Sequence, residues 1–214
     1  MFDLQTQEIL LSFEISPIFS LIILIISVII HEISHGYMAL HLGDTTAKYA
    51  GRLTLNPISH IDPIGSILVP IITSIAGFAF GWAKPVPYNP YNLSDQRWGE
   101  AKVAAAGPLS NIAIALLFGL IIRFGDGILS PTLILLMSVV VFINLILAIF
   151  NLVPIPPLDG SKILFAFLPY NMSRFRQAME GYSLILFFVF IFFLWKFLTP
   201  VIWGLFSLIT GVSA

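Results

Sequence analysis

Five long apolar stretches, at 17–41, 63–81, 99–124, 131–153 and 181–210, dominate this chain and leave most of its proline, asparagine and charge between them. A run of about 20 apolar residues in a helix crosses the hydrocarbon of a bilayer, where every backbone N–H and C=O must find its partner inside the protein. The chain is therefore read as an all-α integral membrane protein. Its expected architecture is a multi-span helical bundle of about four to six apolar segments. Composition agrees: 58% of residues are hydrophobic, 10% are charged and the mean hydropathy is +0.98, against about 25% charged in a soluble domain. The 214 residues suffice for one membrane domain, 1–214, and leave no room for a second.

A net charge of −1 gives no electrostatic footprint for nucleic acid, so the expected surroundings are the lipid bilayer and other membrane proteins. The absence of cysteine excludes disulfides and thiolate metal sites. Asp3, Glu8 and Glu14 precede the first apolar run where a signal peptide would carry basic residues. The reading is a multi-pass protein of the cell membrane.

Pro63, Gly65, Pro70 and Gly77 weaken a straight helix over 63–81, which favours a re-entrant path over a crossing. A re-entrant segment puts Lys48, Arg52, Lys84, Arg97, Lys102, Lys162, Arg174 and Arg176 on one side, with Arg123 and Lys196 opposite. That is a strong positive-inside asymmetry. Residues 47–56 alternate, with Tyr49, Gly51, Leu53 and Leu55 against Lys48, Arg52 and Thr54, and predict a short interfacial β element. The last stretch fits either one kinked helix or a span plus an interfacial piece, since Trp195, Lys196 and Pro200 interrupt it.

Inside the first apolar stretch stands His31-Glu32-Ile33-Ser34-His35. Helical pitch places His31 and His35 one turn apart on one face, able to offer two imidazole nitrogens to one Zn²⁺, with Glu32 beside them as general base. Ionisable groups inside a membrane helix are expensive, and zinc accounts for all three at once. A catalytic zinc takes a third protein ligand and keeps one position open. His41 has the spacing of a third histidine after a helix break, but Met38 stands where that pattern needs glycine. On a continuous helix His41 lies ~9 Å beyond His35 and on another face. Asp159 is the better candidate: it follows Pro154-Ile155-Pro156-Pro157-Leu158, which breaks the fourth apolar stretch, and precedes Gly160. Zn²⁺ with two neutral histidines, ionised Asp159 and ionised Glu32 sums to zero charge, the condition a low-dielectric site favours. Asp159 also suits an N-cap for the segment that follows.

Gly107, Asn111, Ala115 and Gly119 form a stripe of small residues with one amide in it, a surface for close helix packing. Asn111 is a candidate for holding a substrate carbonyl or oxyanion, about even with a purely interhelical hydrogen bond. Asn144 and Asn151 are read as packing residues, and His60 as an interfacial loop residue.

Together these motifs resemble the site-2 protease family of intramembrane zinc metalloproteases. The resemblance rests on H-E-x-x-H at 31–35, on Gly107-Pro108-Leu109-Ser110-Asn111, similar to the family's G-P-x-x-N, and on Asn151 through Leu158-Asp159-Gly160, similar to its L-D-G motif. It implies zinc bound by His31, His35 and Asp159, water activated by Glu32, and substrate contacted by Asn111. It further implies membrane-protein segments as substrates, cleaved in or near the bilayer. No PDZ-like or CBS-like domain fits in the chain, so the expected form is compact. The other classes considered are a metal-binding transporter, disfavoured by the lack of an internal repeat, and a silent scaffold, in which an intact Glu32 is unexpected.

Overall fold

A computed structural model describes residues 17–69, 71–72, 83–125 and 127–212. Four of its helices are long and apolar enough to cross a membrane: α1 (Pro17–His41), α3 (Gly99–Phe124), α4 (Pro131–Asn151) and α7 (Ser183–Thr210). Between them lie the short α2 (Thr46–Tyr49), α5 (Asp159–Phe167) and α6 (Ser173–Gly181). The last apolar stretch is one helix, with a widened turn at Phe190–Leu194.

Helix α3 sits at the centre and packs on α1, α4, α5 and α7. Its small-residue stripe makes this possible. A methyl group on Gly119 would collide with Ile209 of α7, and Ala115 is fully buried. In lipid, where apolar transfer supplies little drive between helices, such close approach is what holds them together. The apolar half of the bundle is filled by Val141, Leu145, Ile202, Trp203 and Phe206 around Ala115. Across the other half runs a polar seam. Asn111 Nδ2 donates to Asn144 Oδ1 at 2.8 Å and reaches the Ser27 carbonyl at 3.4 Å, while Asn144 Nδ2 donates to Ser27 Oγ at 3.0 Å. Three helices are thereby fixed in register by groups that have no alternative partner in hydrocarbon.

Hydrogen bonds tie both ends of the bundle. Ser94 N–H donates to the Leu42 carbonyl at 2.7 Å, tying the end of α1 to the approach to α3, and Arg123 at the far end of α3 donates to the Leu208 carbonyl of α7. Lys84 N–H donates to the His60 carbonyl at 2.9 Å, joining the two flanks of the 63–81 stretch, whose expected re-entrant path falls largely outside the described residues. Residues 73–82 lie outside the described part.

One expectation is corrected. Residues 47–56 do not form a strand: Thr46–Tyr49 is a helical turn, closed by Ala50 N–H on the Thr46 carbonyl and by Arg52 N–H on the Ala47 carbonyl. Gly51, at φ +65°, reverses the chain there, a conformation glycine adopts without strain. The alternation that suggested a strand arises because Arg52 is drawn inward while Tyr49 and Leu55 stay exposed. His60, expected in an interfacial loop, ends the turn Pro57–His60. It is 3% exposed, with Nε2–H donating to the Thr54 carbonyl at 2.9 Å.

Candidate active site

Helix α1 runs unbroken through Met38 to His41. His31 and His35 therefore share the buried face turned to α3, while His41 is exposed at the helix end. The two imidazoles lie edge to face, 4.6 Å between centroids. Each is held from behind by its Nδ1. His35 Nδ1 lies 2.7 Å from the Val103 carbonyl, which only accepts, so the proton is on Nδ1. His31 Nδ1 lies 2.6 Å from Asn111 Oδ1. The Asn111 amide is oriented by its own donation to Asn144, whose Nδ2 in turn donates to the Val140 carbonyl. Both histidines, when neutral, thus turn an Nε2 lone pair forward.

What they face is a third acceptor. Asp159 Oδ2 lies 3.1 Å from His31 Nε2 and 3.2 Å from His35 Nε2. Asp159 opens α5 without capping it, and its carboxylate is directed at the histidines. Gly160 lets α5 start there, because a methyl group at that position would overlap the Leu152 and Val153 carbonyls. Two buried imidazole nitrogens and a half-buried carboxylate oxygen converge here, and with neutral histidines no donor stands among them, an arrangement that a cation completes. Tetrahedral coordination with bonds of 2.0–2.1 Å has ligand-to-ligand edges of about 3.3 Å, close to the two spacings seen. Gly107 provides the space. A methyl group on it would come within 2.5 Å of His35 Nε2 and 2.6 Å of His31 Nε2.

The carboxylate of Glu32 lies within 4.8 Å of both imidazoles, and its Oε2 accepts from Val86 N–H at 2.9 Å. The donor set, the tautomers and the vacated Gly107 position all suit zinc with a base at its edge.

The chain is 40% identical to the protein YwhC of Bacillus subtilis over 186 residues, covering 84% of this chain and 80% of the relative. With this match the family is settled. The chain belongs to the M50 peptidases, the site-2 protease family. The model for peptidase family M50 itself matches residues 126–194, which take in Asp159. MJ0611 of Methanocaldococcus jannaschii is 31% identical over 87% of this chain and 93% of its own length. Rip2 of Mycolicibacterium smegmatis is 31% identical over 64% of this chain and 52% of its own. All three relatives are named provisionally as zinc metalloproteases, and no solved structure matches. As an M50 peptidase the protein is an integral membrane metalloprotease, and its metal is zinc.

The structure brings His31, Glu32, His35 and Asp159 to one point, and it places Asn111 behind His31. Both polar atoms of that amide are engaged inside the bundle, Oδ1 with His31 and Nδ2 with Asn144. Sequence reasoning missed Val103, whose backbone carbonyl leaves no signature, and Val86. For Val86 a signal exists: Pro85-Val86-Pro87 marks extended backbone with a single free N–H. A cavity of about 390 Å³ lined by Glu100, Lys162, Phe165 and Arg176 lies beside α5. No residue that faces the metal position lines it, so the chemistry lies elsewhere.

Proposed function

We propose that the protein is an endopeptidase that hydrolyses peptide bonds in or near the transmembrane segments of other proteins of the cell membrane, and that 1–214 acts as a single domain. The observation that carries this reading is the convergence of Asp159 of α5 on His31 and His35, which lie on the membrane helix α1. His31 lies ten residues, ~15 Å of rise, from the end of α1, well inside a hydrocarbon layer of about 30 Å.

In this reading His31, His35 and Asp159 are the ligands. Zinc held there supplies the positive charge that lowers the pKa of water and polarises the scissile carbonyl. Glu32 takes the proton of the attacking water and delivers it to the leaving amine, so that water adds across the C–N bond and both fragments leave neutral overall. Val86 N–H holds the Glu32 carboxylate for this task. Asn111 acts as a positioning residue, keeping the His31 lone pair forward. The substrate backbone must be unwound at the scissile bond, because helical amides are already hydrogen-bonded. Among the described residues the first half of α1 carries exposed Leu21 and Ile25, a lipid-facing surface along which a substrate helix can approach.

The test is cleavage of a panel of single-span membrane proteins by detergent-purified protein with its zinc content measured. Glu32→Gln should abolish cleavage and retain near-stoichiometric zinc. Cleavage unchanged in that variant, or wild type without zinc, refutes the mechanism. Metal flux into vesicles without cleavage would point to transport instead.

A further inference from the structure

Arg52 is 8% exposed and pairs with no carboxylate among the described residues. A buried guanidinium without an anion is costly unless hydrogen bonds hold it. Its partners are two backbone carbonyls, those of Lys84 at 2.7 Å and Pro85 at 3.3 Å, both reached from Nη2. The next N–H along the chain is that of Val86, the donor to Glu32. Proline at 85 and 87 leaves Val86 the only donor of that tripeptide.

We infer that Arg52 is a positioning residue for the general base: it clamps the 84–85 peptides so that Val86 N–H stays on the Glu32 carboxylate. This rests on Glu32 being the base. The clamp is assembled from three directions. Gly51 turns the chain so that Arg52 points inward. Lys84 N–H is anchored on the His60 carbonyl. The Val86 side chain stands where a methyl on Gly36, one residue beyond His35, would meet it at 2.8 Å, so the segment lies flat on α1 beside the histidines. Two charge-assisted hydrogen bonds from one rigid planar group fix both position and orientation of the peptide, and among the described residues no other donor to those carbonyls is seen. Without the clamp, the segment can lift while the zinc ligands, which come from α1 and α5, remain in place.

The experiment combines amide exchange with kinetics on the zinc-loaded full chain, using one substrate from the single-span panel. Arg52→Ala should speed exchange at Val86 by tenfold or more and lower kcat by about 10- to 100-fold, the range of an outer-shell partner, with KM nearly unchanged and zinc retained. Arg52→Lys, which can reach one carbonyl, should recover part of kcat. Val86→Pro removes the N–H and keeps the extended backbone; combined with Arg52→Ala it should lower kcat no further than either change alone. Unchanged Val86 exchange in Arg52→Ala, or effects that multiply in the double variant, overturns the inference. Loss of zinc in Arg52→Ala also overturns it, since Arg52 would then support the ligands. Glu32→Gln in the same series keeps the outcomes apart: if that variant still cleaves, it is the base assignment that fails.

Discussion

Two carboxylates, one buried and one half-buried and 115 residues apart in sequence, have opposite surroundings. Asp44, in the turn after α1, is fully buried and faces only donors: Thr46 N–H at 3.1 Å, Thr46 Oγ at 2.6 Å, Asn89 N–H at 2.7 Å and Asn92 Nδ2 at 3.0 Å. Asp159 faces two imidazole lone pairs. The first carboxylate is complete as folded and stitches the end of α1 to the 89–92 turn. In the proposed reading the second is complete only when a cation stands between it and the histidines. Satisfied burial marks architecture, and unsatisfied convergence marks chemistry.

Removing Asp159 breaks this contrast most severely. Asp159→Ala should abolish cleavage and most zinc binding. In metal-free protein, though, it should leave stability unchanged or raise it, because a half-buried carboxylate opposite two lone pairs has been taken away. Thermal unfolding with and without chelator checks this, and a large loss of stability in the metal-free form would place Asp159 with Asp44 as a structural group.

Gly107→Ala comes next. Its methyl group would occupy the space in front of both Nε2 atoms, so zinc content and activity should fall at least 100-fold while the helical circular dichroism is retained. Asn111→Ala should follow, with a 10- to 100-fold loss of zinc affinity, the usual effect of removing the partner that fixes a histidine tautomer. A zinc titration against a chelator of known strength measures both. An Asn111 variant with normal zinc affinity and a raised KM would return that amide to the substrate.

The same contrast explains what the sequence made legible. The spans follow from apolar length, and His31, Glu32 and His35 from helical spacing, since both are local rules. Asp159 was reachable because three prolines advertised a break in a membrane segment. The direction of Asn111 was not, because an amide on a small-residue stripe looks alike whether it faces substrate or a histidine. Asp44 and Val86 escaped for a related reason: their partners lie 45 and 54 residues away, and no periodicity links them. The strand expected at 47–56 failed because alternation was produced by one buried arginine.

Asp44 carries the smallest and most specific expectation. Burial alone would push its pKa up, but the hydrogen bonds from Thr46, Asn92 and Asn89 hold it below the usual carboxylate value. A depressed folded-state pKa stabilises the protein above the unfolded value of about 3.9, and the contribution is lost as pH falls through the folded one. Asp44→Asn puts an amide among donors and should cost on the order of 2 kcal/mol at neutral pH, with zinc content unaffected. The gap between wild type and variant should then close as pH drops below about 4. Followed by unfolding in metal-free protein, this separates Asp44 from the zinc ligands, whose removal should give no such gap. A gap that does not narrow at all as pH falls below about 4 would mean that shape, and not the charge of Asp44, secures the turn.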